Sequence, residues 1–265
     1  MAGTLPRREC AAMVLGGPTT VIDVGGLRIV VDPTFDDPGP HGPVTKTTGP
    51  AVTEDALGPV DLVLVSHDQH PDNLDERGRA FALAAPLILT GPLTAARLGP
   101  PALALPVWSG HTVPRPDGGG LHVLAVPAVH GPEDGPRDAD GNINCEVTGF
   151  VLSGTGIPTV YVSGDNASLR TVAKIARRVP APDVAVLFGG AARVPMLFEN
   201  RPMTLDGSGV CAAAAILDAP VVIPVHHDGW GHFSSPRTDI ERAFHEAGLS
   251  SLLRPAGHGT WIPLK

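Results

Sequence analysis

The fold turns on residues 61–75. Asp61–Val65 is an apolar run, followed without a break by Ser66-His67-Asp68-Gln69-His70-Pro71-Asp72-Asn73-Leu74-Asp75. A short run of Val and Leu bounded by polar residues has the length of a strand buried on both faces. The segment after it carries His67, His70 and Asp72 within six positions. Three nitrogen or carboxylate donors crowded onto one strand end point to a metal rather than to a solvated turn. A single strand-end Asp is more simply a turn former or helix cap, and Asp75 and Asp228 are read that way.

The same unit recurs outward from this segment. Thr19–Asp23 and Leu27–Val31 flank Val24-Gly25-Gly26 and read as a β-hairpin, after which comes Asp32-Pro33. Leu121–Val129 leads into His130-Gly131-Pro132, and Thr159–Val162 into Ser163-Gly164-Asp165. Val221–Val225 leads into His226-His227-Asp228-Gly229-Trp230-Gly231-His232. Thr148–Leu152 and Val184–Phe188 complete the strands, with Gly154-Thr155-Gly156 as a second hairpin turn. Five strands thus end in Asp or His. Strand ends are where loops converge on a ligand in layered α/β proteins, so these side chains are expected to meet. His130, Asp165 and His226 carry this expectation as a set; His41, His111, His122, His245 and His258 are read as surface or hydrogen-bonded residues.

Helical spacing appears between the strands. Leu169, Val172, Ile175, Ala176 and Val179 repeat on one side, with Ser168 as N-cap and Pro180 as the stop. Ser235-Pro236 opens a helix over about Arg237–Ala247, with Pro at its first position and Gly248 as its C-terminal cap. Residues 74–84 and 208–218 are weaker helical patterns. Residues 36–59 and 131–147 are rich in Pro and Gly and are read as loops over a site. No shift in composition marks a linker, so the chain reads as one domain over residues 1–265.

Composition narrows the function. The 265 residues include 32 Gly, 29 Pro and 11 His, yet 43% are hydrophobic and only 17% charged, enough apolar surface to form a core. A net charge of −8 with no basic block excludes the electrostatic footprint of a nucleic-acid or anionic-membrane binder. Cys10, Cys145 and Cys211 are odd in number and far apart, which argues for a reducing, cytoplasmic compartment and against a disulfide framework or a Cys-based zinc site. The charge-free stretches 80–96 and 147–164 are broken by Pro or Gly and do not read as membrane spans.

The ordered set Asp32-Pro33, Ser66–Asp75, Pro127–Pro132, Ser163-Gly164-Asp165 and Pro224–His226 resembles the metallo-β-lactamase superfamily. Within it, the likeness is to the ascorbate-6-phosphate lactonase-like branch of metal-dependent hydrolases, and it spans nearly the whole chain. The resemblance implies an α/β, four-layer αββα sandwich with a site at one edge of two sheets. It implies one or two ions, Zn²⁺ or else Mn²⁺ or Fe²⁺. His67, His70 and His130 would hold the first, and Asp165 would bridge to a second served by Asp72 and His226. Water acidified by the cation would supply hydroxide for attack on a small lactone, amide or phosphodiester, with Asp72 orienting it. His232 is a candidate proton donor or substrate contact, and Trp230 a pocket wall or a core residue. Two departures from the family pattern H-x-H-x-D-H stand out. His67 lies three residues before His70 rather than two, so anchoring on His67 puts Gln69 in the second His place. Asn73 occupies the place of the last His. Both motivate the alternative of a degenerate ligand-binding or regulatory protein without hydrolytic activity.

Overall fold

Buried runs separated by Gly and Pro turns build two sheets in the structure, a computed structural model that describes residues 4–255 and 257–265. The first half of the chain supplies β1 (Cys10–Gly16), β2 (Thr19–Val24), β3 (Leu27–Val31), the small β4 (Gly39–His41) and β5 (Val44–Lys46), then β6 (Leu62–Val65), β7 (Ile88–Thr90) and β8 (Ala102–Ala104). The second half supplies β9 (Gly110–Pro114), β10 (Gly120–Pro127), β11 (Thr148–Ser153), β12 (Val160–Val162), β13 (Val184–Phe188), β14 (Val221–Val225) and β15 (Trp261–Pro263). One seven-stranded sheet runs β15-β1-β2-β3-β6-β7-β8, and one six-stranded sheet runs β14-β13-β12-β11-β10-β9. Each is antiparallel on one side and parallel on the other. The β2–β3 turn is Gly25-Gly26 with φ of 58° and 77°, the paired left-handed conformation of a two-residue hairpin turn.

Helices cover the outer faces. They are α1 (Glu54–Leu57), α2 (Glu76–Ala84), α3 (Pro92–Leu98), α4 (Leu169–Ala176), α5 (Gly207–Leu217) and α6 (Arg237–Glu246). Ile22, Ile29, Leu62, Leu64, Val123, Phe150, Val186 and Phe188 form the layer between the sheets. Tyr161, Leu187 and Val222 of the second sheet pack on Val172, Ile175, Val210, Ile240 and Phe244 of α4, α5 and α6. Val21, Val30 and Val63 of the first pack on Leu57, Leu74 and Ala82. The architecture is therefore α/β, with four layers. Burying a Val, Leu, Ile or Phe side chain stabilises by roughly 1.5–3 kcal/mol, so the three layers of contact hold the sheets in register.

Ser168 caps α4 by accepting from Thr171 N–H, and the β13 and β14 boundaries agree with the sequence reading. Pro236 is the N-cap of α6 rather than its first helical residue. The loop 36–59 contains β4, β5 and α1. All three elements escape a reading by composition. At one end, Thr148 N–H donates to Ser66 C=O at 2.9 Å and joins the sheets where β3, β6, β10, β12 and β14 terminate. Among the described residues no helix is long and apolar enough to cross a membrane.

The hairpin carries a buried ion pair. Asp23 and Arg28 face each other across β2 and β3, 0% and 1% exposed, with Arg28 Nε and Nη2 donating to the Asp23 carboxylate at 2.8 and 2.7 Å. The remaining guanidinium hydrogens reach the carbonyls of Leu5, Pro6 and Leu57. Asp23→Ala is expected to lower the unfolding free energy by about 3–5 kcal/mol, because it leaves a buried cation uncompensated. Adding Arg28→Met should recover much of that loss, and urea denaturation of both variants measures it.

Candidate metal centre

The centre is assembled from strand ends. Asp32 follows β3 with a φ of 41°, left-handed for a side chain larger than glycine. Its buried carboxylate accepts from Ser66 N–H at 2.6 Å, Ser66 Oγ at 2.7 Å and Asn73 Nδ2 at 3.3 Å. Burial pushes its pKa up to about 7, despite the opposing hydrogen bonds of Ser66 and Asn73. Since the Ser66 hydroxyl hydrogen goes to Asp32, Ser66 Oγ accepts from His67 Nδ1–H at 3.0 Å. That leaves the His67 Nε2 lone pair aimed into the site.

His130 is fixed in the same way. Its Nδ1–H donates to Met203 C=O at 2.9 Å, leaving Nε2 as a lone pair. His67 Nε2 and His130 Nε2 both face His70 Nδ1, at 2.9 and 3.1 Å. One hydrogen on His70 Nδ1 satisfies at most one of them. Three ring nitrogens converging this way fit a divalent cation. Burial, reinforced by neighbouring imidazoles, holds His67 well below its ordinary value and lowers His70 to about 4. Burial also takes His130 to about 4, against the Met203 hydrogen bond. The rings are therefore neutral, as metal ligation requires.

A second cluster adjoins the first. His226 Nε2 lies 3.2 Å from Asp72 Oδ2, and His226 Nδ1 lies 3.4 Å from Asp165 Oδ1. The Asp72, Asp165 and His226 donor atoms lie within 4.8 Å of one another, all buried. Asp165 Oδ2 and both His226 nitrogens are buried without a hydrogen-bond partner, so their lone pairs suit a divalent cation. Asp165 Oδ2 also lies 3.5 Å from His130 Nε2, between the two clusters. Burial raises Asp165, and its attraction to His226 only partly offsets this. Burial opposes ionisation of Asp72 too, but His226 and His232 hold its carboxyl well below the usual range.

All six ligand candidates come together, and His232 joins them through Nε2, 3.0 Å from Asp72 Oδ2. The His67 spacing is resolved in favour of His70, since Gln69 is exposed and outside the cluster. Asn73 donates to Asp32 and, at 3.2 Å, to Asp165 Oδ1, so it ties two carboxylates together where the family pattern has a histidine. Trp230 is buried beside Gly17 and is a core residue, not a wall of the cavity. Asp75 caps α2 and pairs with Lys46 at 2.9 Å, and Asp228 pairs with His258 at 3.1 Å. One neighbour was not anticipated: Cys145 Sγ lies within 4.8 Å of the three imidazole donors. No spacing in the sequence marks it. Above the clusters is a cavity of about 90 Å³ whose walls include Val44, Val194, Leu197 and Met203, with His70, Asp72, His130, Asn144 and His232 contributing polar groups.

The chain is similar to known proteins over most of its length. The family model of the beta-lactamase superfamily domain matches residues 27–227. A UPF0173 metal-dependent hydrolase of Methanosphaerula palustris is 31% identical over 217 residues, covering 81% of this chain and 82% of that protein. Among solved structures, the isothiocyanate hydrolase from Delia radicum gut bacteria superposes with a TM-score of 0.79 at 20% identity, covering 95% of this chain and 98% of its own. A metallo hydrolase of Ignicoccus hospitalis superposes with a TM-score of 0.68 at 20% identity, covering 96% and 97%. The chain belongs to the beta-lactamase superfamily, as one of its metal-dependent hydrolases.

These shifts give a stability profile for the metal-free protein. His67, His70 and His130 titrate below 6.5 when folded, so between pH 4 and 6.5 the unfolded chain binds more protons there and stability rises with pH. Asp32 and Asp165, both raised, oppose this with fewer protons. Above pH 6.5, Asp32 and the raised His226 lose stability as pH climbs through their folded values. With a chelator present, the urea midpoint should peak near pH 6.5, and Asp32→Asn should flatten the decline above it. A midpoint that rises steadily to pH 8 contradicts these assignments.

Proposed function

We propose that the chain hydrolyses a small uncharged substrate, a lactone or amide in preference to a phosphodiester, at two adjacent cation positions. The observation that carries this reading is the pair of ligand clusters lying together beneath one largely apolar cavity. His67, His70 and His130 form the first position, and Asp72, Asp165 and His226 the second, with Asp165 between them. Zn²⁺ suits this donor set, as do Mn²⁺ and Fe²⁺. A divalent cation here supplies an acidic water and a Lewis acid for developing negative charge.

The side chains around the cations do the rest. Val44, Val194, Leu197 and Met203 favour an apolar substrate body and exclude water around it. The Asp72 carboxylate, kept ionised by His226 and His232, orients the attacking water as a hydrogen-bond acceptor. His232 gives its Nε2–H to Asp72, and its Nδ1 has no partner. In the protonated ring, Nδ1–H is the donor to the leaving atom. Acidic net charge and free cysteines support a small-molecule substrate met in a reducing, cytoplasmic compartment, away from nucleic acid and membrane.

Protein purified without chelators should contain metal, and His130→Ala combined with Asp165→Asn should lose it. Full metal content in the double variant sinks the assignment. Turnover is measured on a panel of neutral lactones, amides, an isothiocyanate and phosphodiesters, with added Zn²⁺ or Mn²⁺. Metal-loaded protein inert on all of them favours the binding-only account that Asn73 motivates. His232→Gln should lower turnover about 10²-fold at unchanged metal content, the usual scale for losing a general acid.

A further inference from the structure

The geometry points to Asn144 as the residue that holds the substrate's carbonyl oxygen, in a cavity that admits only a compact, neutral carbonyl compound. The inference rests on the hydrolytic reading above and narrows its substrate class. The cavity over the clusters is about 90 Å³, and its polar side chains are His70, Asp72, His130, Asn144 and His232. His70, Asp72 and His130 belong to the cation positions, and His232 is bonded to Asp72. Asn144 serves neither a cation position nor a carboxylate. Among the described residues its Nδ2 reaches only the Met203 sulfur, at 3.8 Å, and a thioether is a weak acceptor. The amide hydrogens are therefore available to a carbonyl oxygen, and the bond strengthens as that oxygen gains negative charge.

The loop 131–147 holds this amide from both sides. Before it, Ile143 is buried and packs where a Cβ on Gly131 would meet its Cγ2 at 2.8 Å. After it, Cys145 N–H closes back on Ile143 C=O at 2.9 Å, and the Cys145 side chain is buried beside the three imidazoles. The Glu146 carboxylate then accepts from Leu93 and Thr94 N–H at 2.8 and 3.2 Å. Asn144 itself takes a left-handed φ of 67°. Glycine meets that backbone demand at least as well as asparagine does. Backbone conformation alone therefore gives no reason for an amide here, whereas a substrate contact does.

The apolar walls set the size. A closed apolar cavity of about 150 Å³ takes one benzene, so about 90 Å³ encloses roughly four carbon atoms beside the reacting group. Leu197 is a wall residue and 38% exposed, which places it at the mouth, where a longer alkyl tail would have to displace it. Among the described residues no lysine or arginine lines the cavity, so a carboxylate or phosphate tail finds no cationic side chain.

Asn144→Gly and Asn144→Asp test this, since both residues tolerate the left-handed backbone. Metal-loaded wild type and variants are compared on γ-butyrolactone and on γ-lactones carrying longer alkyl tails. Binding of 2-pyrrolidinone, a neutral lactam that resists hydrolysis, is read separately by ligand-detected NMR. Asn144→Gly should keep the urea midpoint and metal content of wild type, lower kcat/KM on γ-butyrolactone about 10²-fold and lose the lactam. Asn144→Asp should lose both as well, because its carboxylate repels the carbonyl oxygen. In wild type kcat/KM should fall as the tail lengthens, and Leu197→Ala should restore the longer substrates. Full turnover and lactam binding in Asn144→Gly overturn the role of Asn144 alone, and a preference of wild type for long tails overturns the size limit. A wild type that binds the lactam through Asn144 yet hydrolyses no lactone or amide overturns the hydrolytic reading and upholds the contact. Failure of wild type to bind the lactam overturns the contact itself.

Discussion

A buried carboxylate at the end of β3 organises the site. Asp32 has no exposure to solvent, and its environment would leave it costly if its oxygens were unpaired. It recruits the backbone and hydroxyl of Ser66 and the amide of Asn73. Through Ser66 it fixes the ring of His67, and through Asn73 it reaches Asp165 on the other sheet. The next residue, Pro33, presents its carbonyl so closely to α2 that a Cβ on Gly78 would sit 1.8 Å from the oxygen. The helix that follows the histidine loop is therefore seated against the same strand end that sets the loop's hydrogen bonds.

That lattice separates two electrostatic environments lying side by side. The three rings of the first cluster are desolvated and repel one another's charge, so they are held neutral. In the second, Asp72 and Asp165 face His226, and the carboxylates raise the His226 pKa against the effect of burial. Without a cation the proton on His226 partly balances two acids; with one, the ring is free to act as a neutral donor. The same residues thus serve a metal-free fold and a metal centre, with proton release as the exchange between them.

Much of this was legible in the sequence because the information was local. Val184–Phe188 and Val221–Val225 are uninterrupted β-branched and aromatic runs, and Ser168 sits one residue before an amphipathic repeat, so their elements follow from periodicity and capping. The strand-end His and Asp residues converge because one end of both sheets collects them. What escaped depends on tertiary position. Cys10–Gly16 carries the apolar run Ala11–Leu15, but Ala and Met have little strand preference of their own, and the segment is a strand because β2 and β15 pair with it on either side. Ile88–Thr90 and Ala102–Ala104 are three residues each and gain strand character from their neighbours. The choice between Gln69 and His70 depends on a turn that exposes one and buries the other. Cys145 is remote from every histidine in the chain, and only the folded 131–147 loop brings it near.

The backbone at the strand ends explains why so few residues suffice to hold the centre. Asp32 and His226 both leave a strand with positive φ, 41° and 57°, a conformation that costs a non-glycine residue about 1–3 kcal/mol. His226 tolerates it because its N–H donates to Gly17 C=O at 2.8 Å and its own carbonyl presses on Gly190, where a Cβ would come within 2.2 Å. A glycine opposite and a fixed hydrogen bond behind hold its backbone, and Phe188 and Phe233 pack on the ring with centroids 5.1 and 4.5 Å away. Flexible loops would have to order each ligand when the cation binds. Strained strand ends order them as the sheets form, so the conformational cost of the centre is borne largely by folding and much less by metal binding.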